Sequence, residues 1–147
     1  MKKCLILSVI LLLFLESRGQ SASNPDQIIV IVSNQSAIKQ LTKTDLRNIY
    51  LGETKEWDDG SPVQPLDLGE GNQIRGMFCQ IYLKKSLSSL KYYWVEKVFT
   101  GRGAPPLVLE SEQKIKEFIA SHPGAIGYIR LKHLDSTVRR IDVRSGK

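Results

Sequence analysis

Residues 41–63, LTKTDLRNIYLGETKEWDDGSPV, constrain this chain more than any other segment, because they set a helix start, a helix stop and a tight turn in immediate succession. Thr42 suits an N-cap, Asp45 stands three residues on in the capping-box position, and Leu41 and Leu46 occupy the two ends of a hydrophobic staple. Gly52 supplies the stop, since glycine enters the left-handed conformation without a steric penalty. Trp57-Asp58-Asp59-Gly60 then reads as a turn. The segment is a helix that delivers the chain into a sheet.

The flanking sequence supplies that sheet. Residues 27–32 (QIIVIV) form a continuous apolar, β-branched run, the pattern of a central strand covered on both faces as in parallel sheets. Residues 63–66, 125–129 and 138–143 read as further strands. Ile74, Met77, Phe78, Ile81 and Tyr82 fall at helical spacing and predict a helix over 73–84 with one buried stripe. Ser86 or Ser88 can cap another helix, whose Leu87, Leu90, Trp94, Val95, Val98 and Phe99 make a wide apolar face and predict the main packing helix. Ser111 caps a short helix through Ile115, Phe118 and Ile119, which His122-Pro123-Gly124 ends. Strands separated by helices predict an α/β fold: a single three-layer lobe with a mixed or mostly parallel sheet flanked by helices. Ligands of such sheets bind beyond the carboxyl ends of strands.

Residues 1–23 read as a secretory signal peptide. Lys2 and Lys3 precede an apolar run over 5–15, shorter than the roughly 20 residues a membrane span needs, and Ser17, Gly19, Ala22 and Ser23 follow it. Cleavage is expected between about Ser17 and Asn24, giving a periplasmic or secreted protein with no stable membrane insertion and one domain over 24–147. Cys79 is then the sole cysteine, which rules out an internal disulfide and reads as a partly buried apolar residue. The chain carries a formal net charge of +6, and loss of the leader, with Lys2, Lys3 and Arg18 against Glu16, leaves +4. That balance suits an anionic ligand or surface. It does not indicate nucleic acid, because the basic residues are dispersed among acidic ones and aromatic residues do not interleave with them. Arg130, Lys132, Arg139, Arg140, Arg144 and Lys147 read as a solvated edge and basic tail.

Two loops can carry ligand chemistry. Asp67-Leu68-Gly69-Glu70-Gly71-Asn72 leads from a strand into a helix, so the amides of Gly71, Asn72 and Gln73 offer an anion seat. With Asn72 as N-cap, Arg75 stands at the third helical position, where the dipole disfavours a cation by about 0.3–1 kcal/mol. It either lies in water or clamps something negative, Glu70 or a bound anion. Gly101-Arg102-Gly103, stiffened by Pro105-Pro106, offers Arg102 on a loop able to close over a ligand, or is a plain helix-to-strand connection. No catalytic group is expected. His122 sits in a helix stop and His133 in a basic surface segment, Asp58 and Asp59 are turn residues, and no metal-ligand spacing or cofactor motif is present.

Leu41, Thr42, Leu46, Ile49, Tyr50, Leu51 and Gly52, with Trp57 beyond them, follow an L-T-x-x-x-L-x-x-I-[FY]-L-G helix and W-x-[DN] turn. Phe99, Gly101, Pro105 and Pro106 match F-x-G-x-x-x-P-P, and Pro123 to Tyr128 match P-G-x-I-G-Y. Together, over residues 28–128, these resemble the second lobe of the phosphate-type periplasmic solute-binding proteins, of the type 2 superfamily. The resemblance implies a shortened, single-lobe relative of a phosphate ABC transporter substrate-binding protein. Full members close two lobes over the ligand, and their anion segment resembles R-x-D-x-S-G-T. Here Asp67 stands where that arginine would be, and residues 69–73 hold no serine or threonine. The implied function is weak binding of phosphate or another small anion, or binding in a site completed by an envelope protein or transporter partner. The alternative is a non-catalytic envelope interaction module that has lost its ligand.

Overall fold

The computed structural model describes residues 23–146, so the expected leader lies outside the described residues apart from Ser23. Six strands form one sheet: β1 (Ile28–Ser33), β2 (Gln40–Thr42), β3 (Gln64–Leu68), β4 (Leu107–Leu109), β5 (Ala125–Arg130) and β6 (Val138–Arg144), in the order β2-β6-β1-β5-β3-β4. Helices α1 (Lys43–Tyr50), α2 (Gln73–Phe78), α3 (Leu87–Phe99) and α4 (Glu112–Ser121) complete the mixed α/β lobe expected from the sequence.

β1 is central and buried along its whole length. It runs antiparallel to both β5 and β6, however, and the parallel pairings are β2 with β6, β5 with β3, and β3 with β4. An unbroken apolar run reports burial on two faces, which a central antiparallel strand between helical layers also has.

α1 forms as its sequence dictates. Thr42 Oγ1 accepts from the Asp45 amide at 3.1 Å and Asp45 Oδ2 accepts from the Thr42 amide at 2.9 Å, closing the capping box. Gly52 takes φ +66° at the stop, with the Trp94 ring 3.0 Å from where a Cβ would stand. In the turn that follows, the Trp57 indole donates to the Gly124 carbonyl at 3.1 Å, and the Gln64 amide donates to the same oxygen at 3.0 Å. The Gly124 carbonyl thus pins the turn to the starts of β3 and β5. Gly127 in β5 admits α4, since a Cβ there would lie 2.7 Å from Ile115 and 2.9 Å from Ile119 side-chain carbons.

Two helical expectations need correction. α2 is regular only to Phe78, then widens to one π-type turn over Cys79–Leu83 and ends with Lys84 at φ +54°. The wider turn rotates the buried stripe onto Ile74, Phe78, Cys79 and Leu83, leaving Met77 and Ile81 largely exposed and Cys79 fully buried. α3 is not the main packing helix. Only Leu90, Trp94 and Lys97 are buried, while Val95 is 61 % and Phe99 91 % exposed. The sheet's inner faces instead pack on Leu46, Ile49 and Tyr50 of α1, Ile74 and Phe78 of α2, and Ile115 and Ile119 of α4.

Candidate functional site

β3 extends two residues beyond its expected end, which places Asp67 in a strand instead of a loop and buries it. A buried carboxylate requires partners. Asp67 Oδ1 accepts from the Tyr128 hydroxyl at 2.5 Å and the Leu68 amide at 2.9 Å, and Oδ2 accepts from Arg75 Nε at 2.9 Å. Arg75 enters from the first turn of α2, and its side chain leans back toward the helix start, where Asp67 lies. The cation therefore pairs with Asp67, and Glu70 stands instead 3.8 Å from Lys91.

The surroundings record this charge. Burial and the nearby Asp67 push the Cys79 thiol up to about 11, and the same two effects, burial first, raise the Tyr128 phenol well above its ordinary value. Burial opposes the charge on Arg75, but Asp67 outweighs it and raises the guanidinium pKa. Tyr128 stacks on Phe78 at 3.9 Å between ring centroids, and the Tyr50 hydroxyl donates to the Leu66 carbonyl at 2.9 Å, so an aromatic wall backs the ion pair.

Around the next turn, Gly71 takes φ +86°, the Asn72 side chain caps the Ile74 amide at 3.1 Å, and the Asn72 amide donates to the Gly69 carbonyl at 3.2 Å. The amides of Gly71 and Gln73 have no protein acceptor among the described residues. Gly71, Asn72, Gln73 and Arg75 are thus contiguous, but Asn72 opens on a cleft shared with Ser111, Lys116 and His133 while Arg75 lines a groove with Leu68, Glu70 and Trp94. Arg102 is not brought to them. It borders a third cavity, beside Gly52, Glu53 and Lys97, donating to Thr100 at 2.9 Å and to Glu96 at 3.2 Å.

Sequence reasoning missed two features. The first is the pairing of Asp67 with Arg75, for which the sequence offers only opposite charges flanking a glycine-rich loop. The second is Lys97, which is buried, its ammonium donating to the Leu51 carbonyl at 2.7 Å, Glu53 at 2.7 Å and the Tyr93 hydroxyl at 2.9 Å. This knot fixes α3 to the end of α1 and turns the helix's apolar stripe outward. Leu87, Val95, Val98 and Phe99 of α3 consequently line an open groove of about 540 Å³ that Val108 of β4 also borders.

The serine–histidine neighbours do not form a nucleophile pair. Ser121 Oγ lies 3.0 Å from His122 Nδ1, but that nitrogen is 2.8 Å from the Phe118 carbonyl, an obligate acceptor, so it carries the proton and cannot take one from serine. Among the described residues no group of three or more His, Cys, Asp or Glu side chains is placed to hold a metal, and no helix is long and apolar enough to cross a membrane.

No protein-family model matches the sequence, and no curated protein sequence does. Solved structures do. An ABC-type phosphate transport receptor from Vibrio cholerae superposes with a TM-score of 0.64 at 19 % identity, over 79 % of this chain and 45 % of that one. A Clostridium perfringens protein described as a phosphate ABC transporter substrate-binding protein, with bound phosphate, gives 0.67 at 21 % identity over 80 % and 45 %. PstS from Borrelia burgdorferi gives 0.63 at 17 % identity over 83 % and 49 %. This chain spans slightly under half of each of these neighbours. Its fold is that of one lobe of a phosphate-type periplasmic binding protein.

Proposed function

We propose that this chain is an exported, non-catalytic, one-lobe relative of the phosphate transport receptors that works through a partner. By itself it holds phosphate or a similar small anion only weakly, at the Gly71, Asn72 and Gln73 amides, in a site completed by another chain. One observation carries this reading: the Arg75 guanidinium nearest the seat is already spent on Asp67 at 2.9 Å. With Arg75 held by Asp67 and Lys116, in the cleft beside Asn72, held by Asp135, backbone amides open to solvent support a Kd no better than roughly high micromolar to millimolar, about 4–6 kcal/mol. Arg102, on its separate loop, reaches such an anion only through loop movement.

A phosphate and sulfate titration followed by amide NMR tests this. Shifts should centre on residues 69–75 and weaken with salt, and Arg130→Ala should leave them unchanged. Shifts confined to the basic residues after Arg130 would sink the anion seat and leave the second reading, an envelope interaction module that binds no ligand. The outward apolar stripe of α3 specifically favours that second reading.

A further inference from the structure

We infer that the uncovered groove between α3 and β4 is the face through which two copies of this chain pair about a twofold axis, an inference that names the partner in the partner-dependent reading above and rests on that reading. Among the described residues, every large apolar side chain left exposed lies on α3 or β4, apart from Met77 and Ile81. The groove has a buried floor of Leu68, Leu90 and Trp94 and a rim of Val95, Val98, Phe99 and Val108. With Leu87, the rim presents on the order of 500 Å² of apolar surface, which matches the apolar part, about 65 % in homodimers, of the ~800 Å² that one side contributes to a standard interface.

Charge selects a copy of the same face over a charged partner. The groove lining carries Glu70, Arg75 and Lys91, and each is already matched: Arg75 faces Asp67 at 2.9 Å and Lys91 faces Glu70 at 3.8 Å. No surplus remains to recruit an acidic or a basic segment. Lys91 and Glu70 are exposed, at 71 % and 78 %, so a twofold axis lets each Lys91 reach the Glu70 of the second copy. Shape selects the same occupant. An isologous interface needs a projection and a recess on one surface. Phe99, 91 % exposed, stands out from the rim and cannot fill the groove it borders, whereas the Phe99 of a second copy can. β4 is the outermost strand, paired with β3 alone, and its other edge makes no main-chain hydrogen bond among the described residues. Two copies can therefore also meet there strand to strand, antiparallel as a twofold requires. A flat bilayer cannot fill a concave groove.

Sedimentation of the purified, naturally processed chain should show a reversible dimer half formed at about 10 µM or below, within the micromolar-to-picomolar span of interfaces this size. Phe99→Asp and Val95→Asp, at exposed positions, should each weaken it about tenfold or more while leaving thermal unfolding of the dilute chain unchanged. Lys91→Glu and Glu70→Lys should each weaken it about fivefold, because like charges then face each other across the axis. Mixing those two variants in equal amounts should restore the dimer, since the mixed pair sets opposite charges together at both contacts. As the wild-type concentration rises, amide shifts should cover Leu107–Leu109 and α3. A chain that stays monomeric at millimolar concentration, a dimer that Phe99→Asp leaves intact, or shifts confined to another surface would overturn the proposal. So would charge variants that fail to recover on mixing, or a monomer that binds phosphatidylglycerol vesicles, which would make a bilayer the occupant. No phosphate is present, so failure here is distinct from failure of the phosphate titration.

Discussion

Replacing Asp67 by asparagine removes the negative charge opposite Arg75 while keeping the side chain's shape. The remaining Oδ1 still accepts from Tyr128 and Leu68, so those two bonds survive. At the other oxygen an amide N–H₂ would face the Arg75 Nε–H at about the present 2.9 Å, donor against donor. Breaking a buried pair on one side costs about 3–5 kcal/mol. Arg75 retains 16 % side-chain exposure and can swing toward the groove, which lowers the expected loss to about 2–4 kcal/mol. For a domain of this size that is roughly 6–16 °C in Tm. Urea unfolding followed by the fluorescence of Trp57 and Trp94, both 8 % exposed, reads the loss as a lower midpoint at constant slope. Asp67→Asn/Arg75→Gln restores a neutral donor–acceptor pair and should recover at least about 1.5 kcal/mol, a coupling outside the additive range. A loss below about 0.5 kcal/mol, or additive single changes, would show that the pair does not hold Arg75.

Gly124→Ala should cost about 2–4 kcal/mol in urea unfolding, because its Cβ would lie 2.5 Å from the Pro62 carbonyl oxygen and displace the Trp57 and Gln64 hydrogen bonds. Gly69→Ala, with nothing within 4 Å of the added carbon, should stay within about 0.5 kcal/mol. Thr42→Ala should cost about 0.5–2 kcal/mol by opening the capping box, in a single cooperative transition. Cys79, buried and with its thiol pushed up to about 11, should resist a thiol reagent at pH 8 in the native protein and react fully in urea. Hydrogen bonds from Lys97 and Lys116 lower the folded pKa of Glu53 and Asp135 respectively, so their contribution is present above the ordinary carboxylate range and lost as pH falls through the lowered values. A pH titration of the unfolding midpoint should show a plateau near neutrality and a fall only on the acid side.

Where local chemistry decides the structure, the sequence was legible. Thr42 with Asp45, the Gly52 stop and the Trp57 turn each follow from residues within one short segment. The direction of β1 was hidden because an apolar run records burial and not polarity of the chain. The outward stripe of α3 was hidden for a related reason. Hydrophobic spacing marks a face without saying whether anything covers it, and the rotation depends on Lys97 reaching a carbonyl 46 residues away. At the candidate site, the Gly71 turn and the Asn72 cap could be named from the sequence, but the pairing of Arg75 could not. It depends on β3 running two residues further and on Tyr128 arriving from β5, both decided by sheet pairing.

Phosphate calorimetry on the wild-type chain and on Asp67→Asn, run side by side, tests most directly whether Asp67 withholds Arg75 from an anion. The account predicts wild-type binding no tighter than roughly the high-micromolar range and a gain of about tenfold, ~1.4 kcal/mol, when Asp67→Asn releases the guanidinium toward the seat. Submicromolar phosphate binding by the wild-type monomer, or weaker binding in a folded Asp67→Asn variant, would contradict it.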